Sequence, residues 1–319
     1  MSANTTIQSP YDFGRAIFLP FHSGSGSLIF VVKSAVFYAV GLFILYMLFG
    51  QMMQDASVVY QEKTIEDPLY VFTGMGIMLL KSLPIYLGMW MIWIAVETAF
   101  HRRVLFGDQG NPFPWRFGGD ELRVMLCQLV VWIVFIVVLI VVYFVFALIA
   151  GLLSAVISSP IFMIVVISLG LLAALFVASF IAIRLSPAAA RSVAEKRIAI
   201  GSVWAVTKGR FWPSLGAYYL LWIVGMIVYG VLMTVAMLAI YGADSGGLFM
   251  SSMSGDPAAS LEMTKELYQV EGANLRSAIL ASVLGIYLAV LSLCIVGVSA
   301  HLNNLYDKAQ GMLGADVFD

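Results

Sequence analysis

The sequence predicts an all-α fold: a polytopic membrane helix bundle of six transmembrane helices, arranged as three hairpins with cytoplasmic interfacial helices. Three observations carry this prediction. Hydrophobic residues make up 61% of the 319 residues and charged residues 11%, against roughly 45–50% and 25% in soluble domains. That much apolar surface needs lipid as its solvent. Six apolar runs reach the length of about 20 residues that a helix rising 1.5 Å per residue needs to cross a bilayer. Lysine and arginine, finally, fall overwhelmingly on one side of those runs.

Taken in order, residues 1–27 are polar and mixed, with no apolar run followed by a small-residue cleavage site, and read as a cytoplasmic interfacial N-terminal segment. The six-span membrane domain covers 28–301, with spans at about 28–50, 82–101, 122–151, 161–184, 214–241 and 277–301, and 302–319 form a cytoplasmic C-terminal tail. Two interruptions set the start of the second span. Apolar character begins at Leu69, but Lys81 and Pro84 interrupt it; proline disrupts the turn before it and lysine is costly at mid-bilayer. If the span starts near Ser82, residues 69–80 are interfacial or re-entrant and Lys81 snorkels to the far surface; the remaining alternative is that 69–81 belong to the second span.

The elbow HRRVLFGDQGNPFPWRFGGDELR (101–123) is read as the wet end of two helices. His101, Arg102 and Arg103 close the second span, where cations suit a helix C-terminus. Pro112 and Pro114 force an extended turn, Gly118 and Gly119 a sharp one, Asp120 is the expected N-cap of the third span, and Glu121 sits in its first turn. The stretch 186–213 uses the same devices at greater length. Ser186-Pro187 starts a basic, partly amphipathic helix through Arg191, Lys196 and Arg197, and a short helix SVWAVTK stops at Gly209. Such composition suits helices lying in the membrane surface. In the outer loop after the fifth span, Asp256-Pro257 and Gly272 bracket another short helix, the best place for an extracytoplasmic partner.

Of the 17 Lys and Arg residues, 13 lie on the side of Arg15, Lys33, Arg102, Arg184 and Lys308; only Lys63, Lys81, Lys265 and Arg276 lie on the other, which is acidic. Both termini are thus expected in the cytoplasm of a bacterial inner-membrane protein. The spans entering from that side begin near Leu28, Leu122 and Gly216, about 94 residues apart, and Arg116-Phe117 falls on Arg210-Phe211 at the same offset. A threefold hairpin repeat follows from that register.

VWAVTKGRFWPSLGAYYLL, following the basic helix, resembles a segment of poorly characterised six-span bacterial inner-membrane proteins, which are similar to the membrane domain of some glycerophosphodiester phosphodiesterases. The resemblance implies an all-helical membrane domain and an envelope or transport role. It carries no hydrolase activity over, because only 18 residues follow His301 and the catalytic barrel with its metal-binding carboxylates is absent.

A net charge of −1 excludes a general nucleic-acid binder. Cys127 and Cys294 lie in apolar runs and read as reduced packing residues. Arg102, Arg103, Trp115, Arg116, Arg197, Lys208, Arg210 and Trp212 are the candidates for anionic-headgroup contact, cations beside interfacial aromatics. Glu97 and His101, four apart on one helix face, are the candidate intramembrane pair, with Lys33, Arg102, Arg103 or Arg184 as other partners for the carboxylate. His22, His101 and His301 share one face but lack close ligand spacing, and the 17 methionines line no single helix, so neither a metal site nor a cofactor is predicted. Gly170, Ala174, Ala178 and Ala182 on the fourth span, with Ser277, Ala281, Gly285 and Ala289 on the sixth, form small-residue stripes that make these two spans the expected close-packed centre. No nucleophile elbow, phosphate loop or carboxylate pair points to an enzyme. The expected partners are membrane lipids and a membrane protein; the alternative is a small transporter or channel.

Overall fold

The computed structural model describes residues 11–24, 26–67, 69–107, 116–154, 160–242, 261–262, 265 and 272–310, with 154 and 160–163 described by backbone alone. The described residues form helices and connecting turns with no strand. In chain order the helices are α1 (Phe13–His22), α2 (Ser27–Glu66), α3 (Tyr70–Phe106), α4 (Gly119–Ser154), α5 (Pro160–Leu185), α6 (Ala188–Glu195), α7 (Val203–Val206), α8 (Phe211–Tyr241) and α9 (Ala273–Ala309). Six of them (α2, α3, α4, α5, α8 and α9) are long and apolar enough to cross a membrane, so the chain is a multi-pass integral membrane protein.

The helices outrun the spans. α2 has 40 residues and α3 has 37, and at 1.5 Å per residue each is nearly twice as long as the roughly 30 Å hydrocarbon layer. From Gln51 onward α2 carries Gln51, Asp55, Gln61, Glu62, Lys63 and Glu66, a composition suited to water. The expectation of a separate interfacial or re-entrant segment over 69–80 is corrected: α3 is one helix from Tyr70, with Pro84 inside it and Lys81 exposed. Proline removes one donor without ending the helix when neighbouring groups satisfy the freed carbonyls. The carbonyl that Pro84 leaves without its helical donor is that of Leu80; one residue away, Ser82 donates to the Leu79 carbonyl at 3.1 Å. The bilayer limits how much of a helix lies in lipid, and it sets no limit on the helix.

The chain divides into two compact units: Met1–Ser25, Glu97–Leu220 and Cys294–Asp319 form the first, Gly26–Val96 and Leu221–Leu293 the second. In the first, α4 packs against α5 and α6. α1 is held against α9, where a Cβ at Gly297 would stand 2.9 Å from the Ala16 carbonyl oxygen and 3.0 Å from the Pro20 ring. Asp12 caps α1, accepting from the Arg15 N–H at 3.0 Å. Asp120 does not cap α4 as expected. It lies inside the first turn and pairs with Arg123 at 2.5 Å, while Glu121 reaches back to accept from the Gly118 N–H at 2.9 Å. This is the glutamate half of a capping box.

The largest departure is α6. Arg191 faces inward, and every residue from Ala188 to Val193 is buried. α6 is a core helix of its unit, packed against protein along its inward face. Three consecutive alanines let it approach its neighbours closely, and the Ser192 hydroxyl ties it down by donating to the Ala188 carbonyl and accepting from the Ala199 N–H. Lys196 ends it in the left-handed conformation at φ 52°.

In the second unit, α9 meets α2 at Gly285, where a Cβ would lie 3.0 Å from both Ala39 Cα and the Tyr38 carbonyl oxygen. Gln54 donates to the Ser277 hydroxyl at 2.8 Å, Tyr241 contacts the same hydroxyl at 3.3 Å, and Tyr287 donates to the Gly225 carbonyl at 2.6 Å. Lys265 pairs with Glu62 at 3.0 Å. Asp256, Pro257 and the rest of 243–260 lie outside the described residues, so the expected outer-loop helix does too; Gly272 has the positive φ of 80° expected of a glycine at a chain turn.

Candidate functional site

The first unit concentrates ionisable side chains in its interior. Glu97, His101, Arg102, Arg103, Glu121, Arg191, Arg210, His301 and Asp307 are all buried. A buried charge is stable only when paired and hydrogen-bonded, and most of these have partners of fitting chemistry. On α3, Glu97 lies 3.5 Å from His101 Nε2 one turn on, and its other oxygen accepts from the Gln128 carboxamide of α4. Arg102 pairs with Glu121 across the same two helices. The i, i+4 pair read from the sequence is therefore formed, with the glutamine of the neighbouring helix as a third member. His101 is fully buried, and neither of its ring nitrogens makes a hydrogen bond among the described residues, the 3.5 Å approach to Glu97 included.

A second network holds α6 to α9. The Arg191 guanidinium reaches Asp307 at 2.5 Å, Asn303 at 3.3 Å and Glu195 at 2.6 Å, and lies 5.2 Å from the centre of the Tyr306 ring. Asn303 in turn donates to the second Asp307 oxygen at 3.0 Å. One guanidinium thus satisfies two carboxylates from two helices, a use that needs its planar fork of donors.

The eight residues expected to meet lipid headgroups divide by placement. Arg116, Arg197, Lys208 and Trp212 are exposed, Trp212 by 68%. Arg102, Arg103 and Arg210 are buried, Arg102 against Glu121, and burial pushes the Arg210 guanidinium's pKa down. Trp115 lies outside the described residues. Burial of the three arginines follows from their position on the inward faces of helix ends, which a one-dimensional count of cations does not resolve.

Arg184, counted in the sequence only as one of the basic-side cations and a possible partner for Glu97, has a setting of its own. Its guanidinium carbon lies 5.3 Å from the centres of the Phe180 and Trp204 rings and 5.5 Å from Phe211. All three are inside the roughly 6 Å range of cation–π attraction. Nη1 donates to the Thr207 hydroxyl at 3.1 Å, and Nε is buried with no acceptor. Arg184 makes no salt bridge among the described residues. It forms the polar end of a recess of about 400 Å³ lined by Phe176, Phe180, Gly209, Phe211 and Trp212. Gly209 holds φ 77°, which fits glycine and lets the chain turn beside the recess. The signal available in the sequence was the alignment of Phe180 and Arg184 on one helix face with the RFW triplet at 210–212.

His22 is exposed and bonded to the Phe18 carbonyl at 3.1 Å, whereas His301 is buried with its ring 5.3 Å from Tyr11. Burial pushes the Tyr11 hydroxyl's pKa well above its usual value. Among the described residues no group of three or more His, Cys, Asp or Glu has the geometry of a metal site. Cys127 and Cys294 are buried free thiols. Of the small-residue stripes, Ala281, Gly285 and Ala289 point inward, with Gly285 against α2. On α5, Ala178 is buried, Ala174 is half-buried, Ala182 is exposed, and Gly170 faces Phe146 of α4. Within these stripes the close glycine approaches join α9 to α2 and α5 to α4.

Compared with family models, curated proteins and solved structures, the chain matches none.

Proposed function

We propose that this chain is a non-enzymatic accessory protein of a bacterial inner membrane, with both termini cytoplasmic and its basic end seated on anionic lipid headgroups. The observation that supports it is the division of the basic residues in the first unit. Arg102 and Arg191 are buried and internally paired and build the scaffold; Arg197 is exposed and pairs with Glu195 at 2.7 Å, while Arg116 and Lys208 remain at the surface with Phe117, Trp204 and Trp212 exposed by 65%, 48% and 68%. Surface cations beside exposed aromatics match the headgroup layer, where each cation contributes about 1 kcal/mol towards an anionic membrane. The test is extraction of the protein in native lipid discs, with co-purifying lipids and proteins quantified by mass spectrometry. Anionic lipid should be enriched over the bulk membrane, and Arg116→Gln/Arg197→Gln/Lys208→Gln should lose that enrichment. Bulk lipid composition in both samples would overturn the lipid contact, and a stoichiometric protein partner would identify the complex being organised.

The buried Glu97–His101–Gln128 group favours a second reading, a proton-coupled transporter, because an ionisable residue at membrane depth is a functional candidate by default. The two readings differ in Glu97→Gln. A scaffold loses about 1 kcal/mol of stability with its lipid association intact; a transporter keeps its fold and loses pH-driven solute uptake in proteoliposomes.

A further inference from the structure

We infer that the Arg184 recess is a seat for the phosphate of one anionic phospholipid, with an acyl chain laid along Phe176 and Trp212. This deepens the lipid-contact reading and rests on it: a single built site in place of a diffuse basic surface.

Four features carry the inference. The first is uncompensated charge. A guanidinium offers five N–H donors, and in Arg184 one reaches Thr207, Nε is buried without an acceptor, and no carboxylate pairs with the group among the described residues. Arg184 is half-buried, whereas the buried Arg102 and Arg191 each pair with a carboxylate. Aromatic rings attract the cation but supply no acceptor oxygen, so the N–H edges await one. A phosphate oxygen is the acceptor whose geometry a guanidinium fork fits.

The second is preorganisation. Phe180, Trp204 and Phe211 surround the guanidinium at 5.3–5.5 Å, and Thr207 fixes its orientation. Little side-chain freedom is left to lose on binding. The third is depth. Arg184 lies in the last turn of α5, and Phe176 is eight residues earlier, about 12 Å along the axis. The recess therefore runs from a cation at the helix end into the apolar length of the same span, as a headgroup phosphate and its acyl chain would. A free phosphate ion would have no use for the apolar half. Phe176 is 56% exposed and Trp212 68%, so the slot opens sideways to lipid. The fourth is the lining itself. Among the six lining residues there is no carboxylate to receive the ammonium group of a zwitterionic headgroup, and Lys208 beside the recess is exposed, which together favour a net-negative lipid.

The test uses the full-length protein, delipidated in a non-ionic detergent and titrated with phosphatidylglycerol or phosphatidylcholine, bound lipid being counted by native mass spectrometry. One phosphatidylglycerol should bind in preference to phosphatidylcholine. Arg184→Gln should weaken it at least about tenfold, the scale of one charge-assisted contact, and Trp212→Ala, a change at an exposed side chain that keeps the charge, should weaken it severalfold. Arg184→Lys should restore less than half of the loss, because an ammonium lacks the fork. Millimolar inorganic phosphate should not displace the lipid. If Arg184→Gln and Trp212→Ala both bind as the parent does while Arg116→Gln/Arg197→Gln/Lys208→Gln loses binding, the recess is not the seat and the diffuse reading stands alone. If the parent protein does not distinguish the two lipids, both ideas fall. Displacement by inorganic phosphate in an Arg184-dependent way would make the recess an ion site and overturn the lipid occupant.

Discussion

The two compact units solve the same problem, holding helices together in lipid, with different chemistry. Every buried charged residue among the described positions belongs to the first unit, from Glu97 through Asp307. The buried polar residues of the second unit are Ser27, Ser34, Gln54, Ser82 and Ser292, hydroxyls and one carboxamide. The first unit's ion pairs tie short and long helices end to end, as Arg191 does for α6 and α9. The second unit uses close backbone approach at Gly285 and neutral hydrogen bonds such as Gln54 to Ser277. The difference teaches where each chemistry is affordable. Charge at the bilayer centre is expensive and small-residue packing is favoured there, whereas near a helix end water and headgroups lower the cost of placing a charge.

The sharpest way to break this contrast is at Arg191. Replacing it with methionine leaves Asp307 facing a neutral side chain in a buried setting, while Glu195 keeps Arg197, and removing one partner of a buried pair costs about 3–5 kcal/mol. Thermal unfolding in mixed micelles should show the loss. Arg191→Met/Asp307→Leu should recover a large part of it, since a well-packed apolar pair can replace a buried ion pair. If the single variant unfolds at the parent's temperature, the first unit does not depend on its charges.

The corresponding change in the second unit is smaller. Gly285→Ala places a methyl 3.0 Å from the backbone of Ala39 and Tyr38, atoms that cannot yield without moving α2. Overpacking of this kind costs about 1–3 kcal/mol. Gly230, also in the second unit, has open space where its Cβ would be, so Gly230→Ala should leave stability unchanged or raise it by up to about 1 kcal/mol through helix propensity. Equal effects at the two glycines would show that backbone proximity at Gly285 is not what packs α9 there. Smaller again, Gln54→Leu removes the bond to Ser277, and a neutral hydrogen bond contributes about 1 kcal/mol net. A loss of several kcal/mol in the same micelle assay would make the two units alike.

What the sequence made legible follows the same division. Six spans were readable because a bilayer imposes a length on apolar runs, and the Glu97–His101 pair because it is local to one helix. The extent of α3 was not, since Lys81 and Pro84 mark where lipid suits the chain poorly, and a helix that continues past the membrane carries no such mark. The inward turn of α6 was hidden because its partners, Asn303 and Asp307, lie more than 100 residues away. The 94-residue register places Arg116-Phe117 over Arg210-Phe211, yet the first pair is exposed and the second buried. Sequence register fixes which residues correspond, and the surrounding elements decide which side they face. Arg184 escaped notice for the same reason: its cage is assembled from α5, α7 and the start of α8, and only folding brings those rings to one cation.

The smallest expected effect lies at the edge of the first unit, where charge is fully solvated and the contrast should fade. Asp12 accepts the Arg15 N–H at the start of α1, and that hydrogen bond, ahead of the guanidinium's own charge, holds its carboxyl below the usual carboxylate range. A folded-state value below the unfolded one means that the cap contributes stability above the ordinary pKa of about 3.9 and loses it as pH falls through the folded value. Amide exchange over the first turn of α1, corrected for intrinsic rates, should therefore be level from neutral pH down to about 5 and quicken below about 4. Asp12→Asn keeps an acceptor that does not titrate, so its exchange should stay flat across that range. The end of α9, where Arg191 lies 2.5 Å from Asp307 and Asn303 adds a second donor, is buried and should exchange far more slowly than α1 at neutral pH. If α1 and the end of α9 loosen together, the solvated cap and the buried network belong to one cooperative element, and burial is not what separates strong charge pairs from weak ones in this unit.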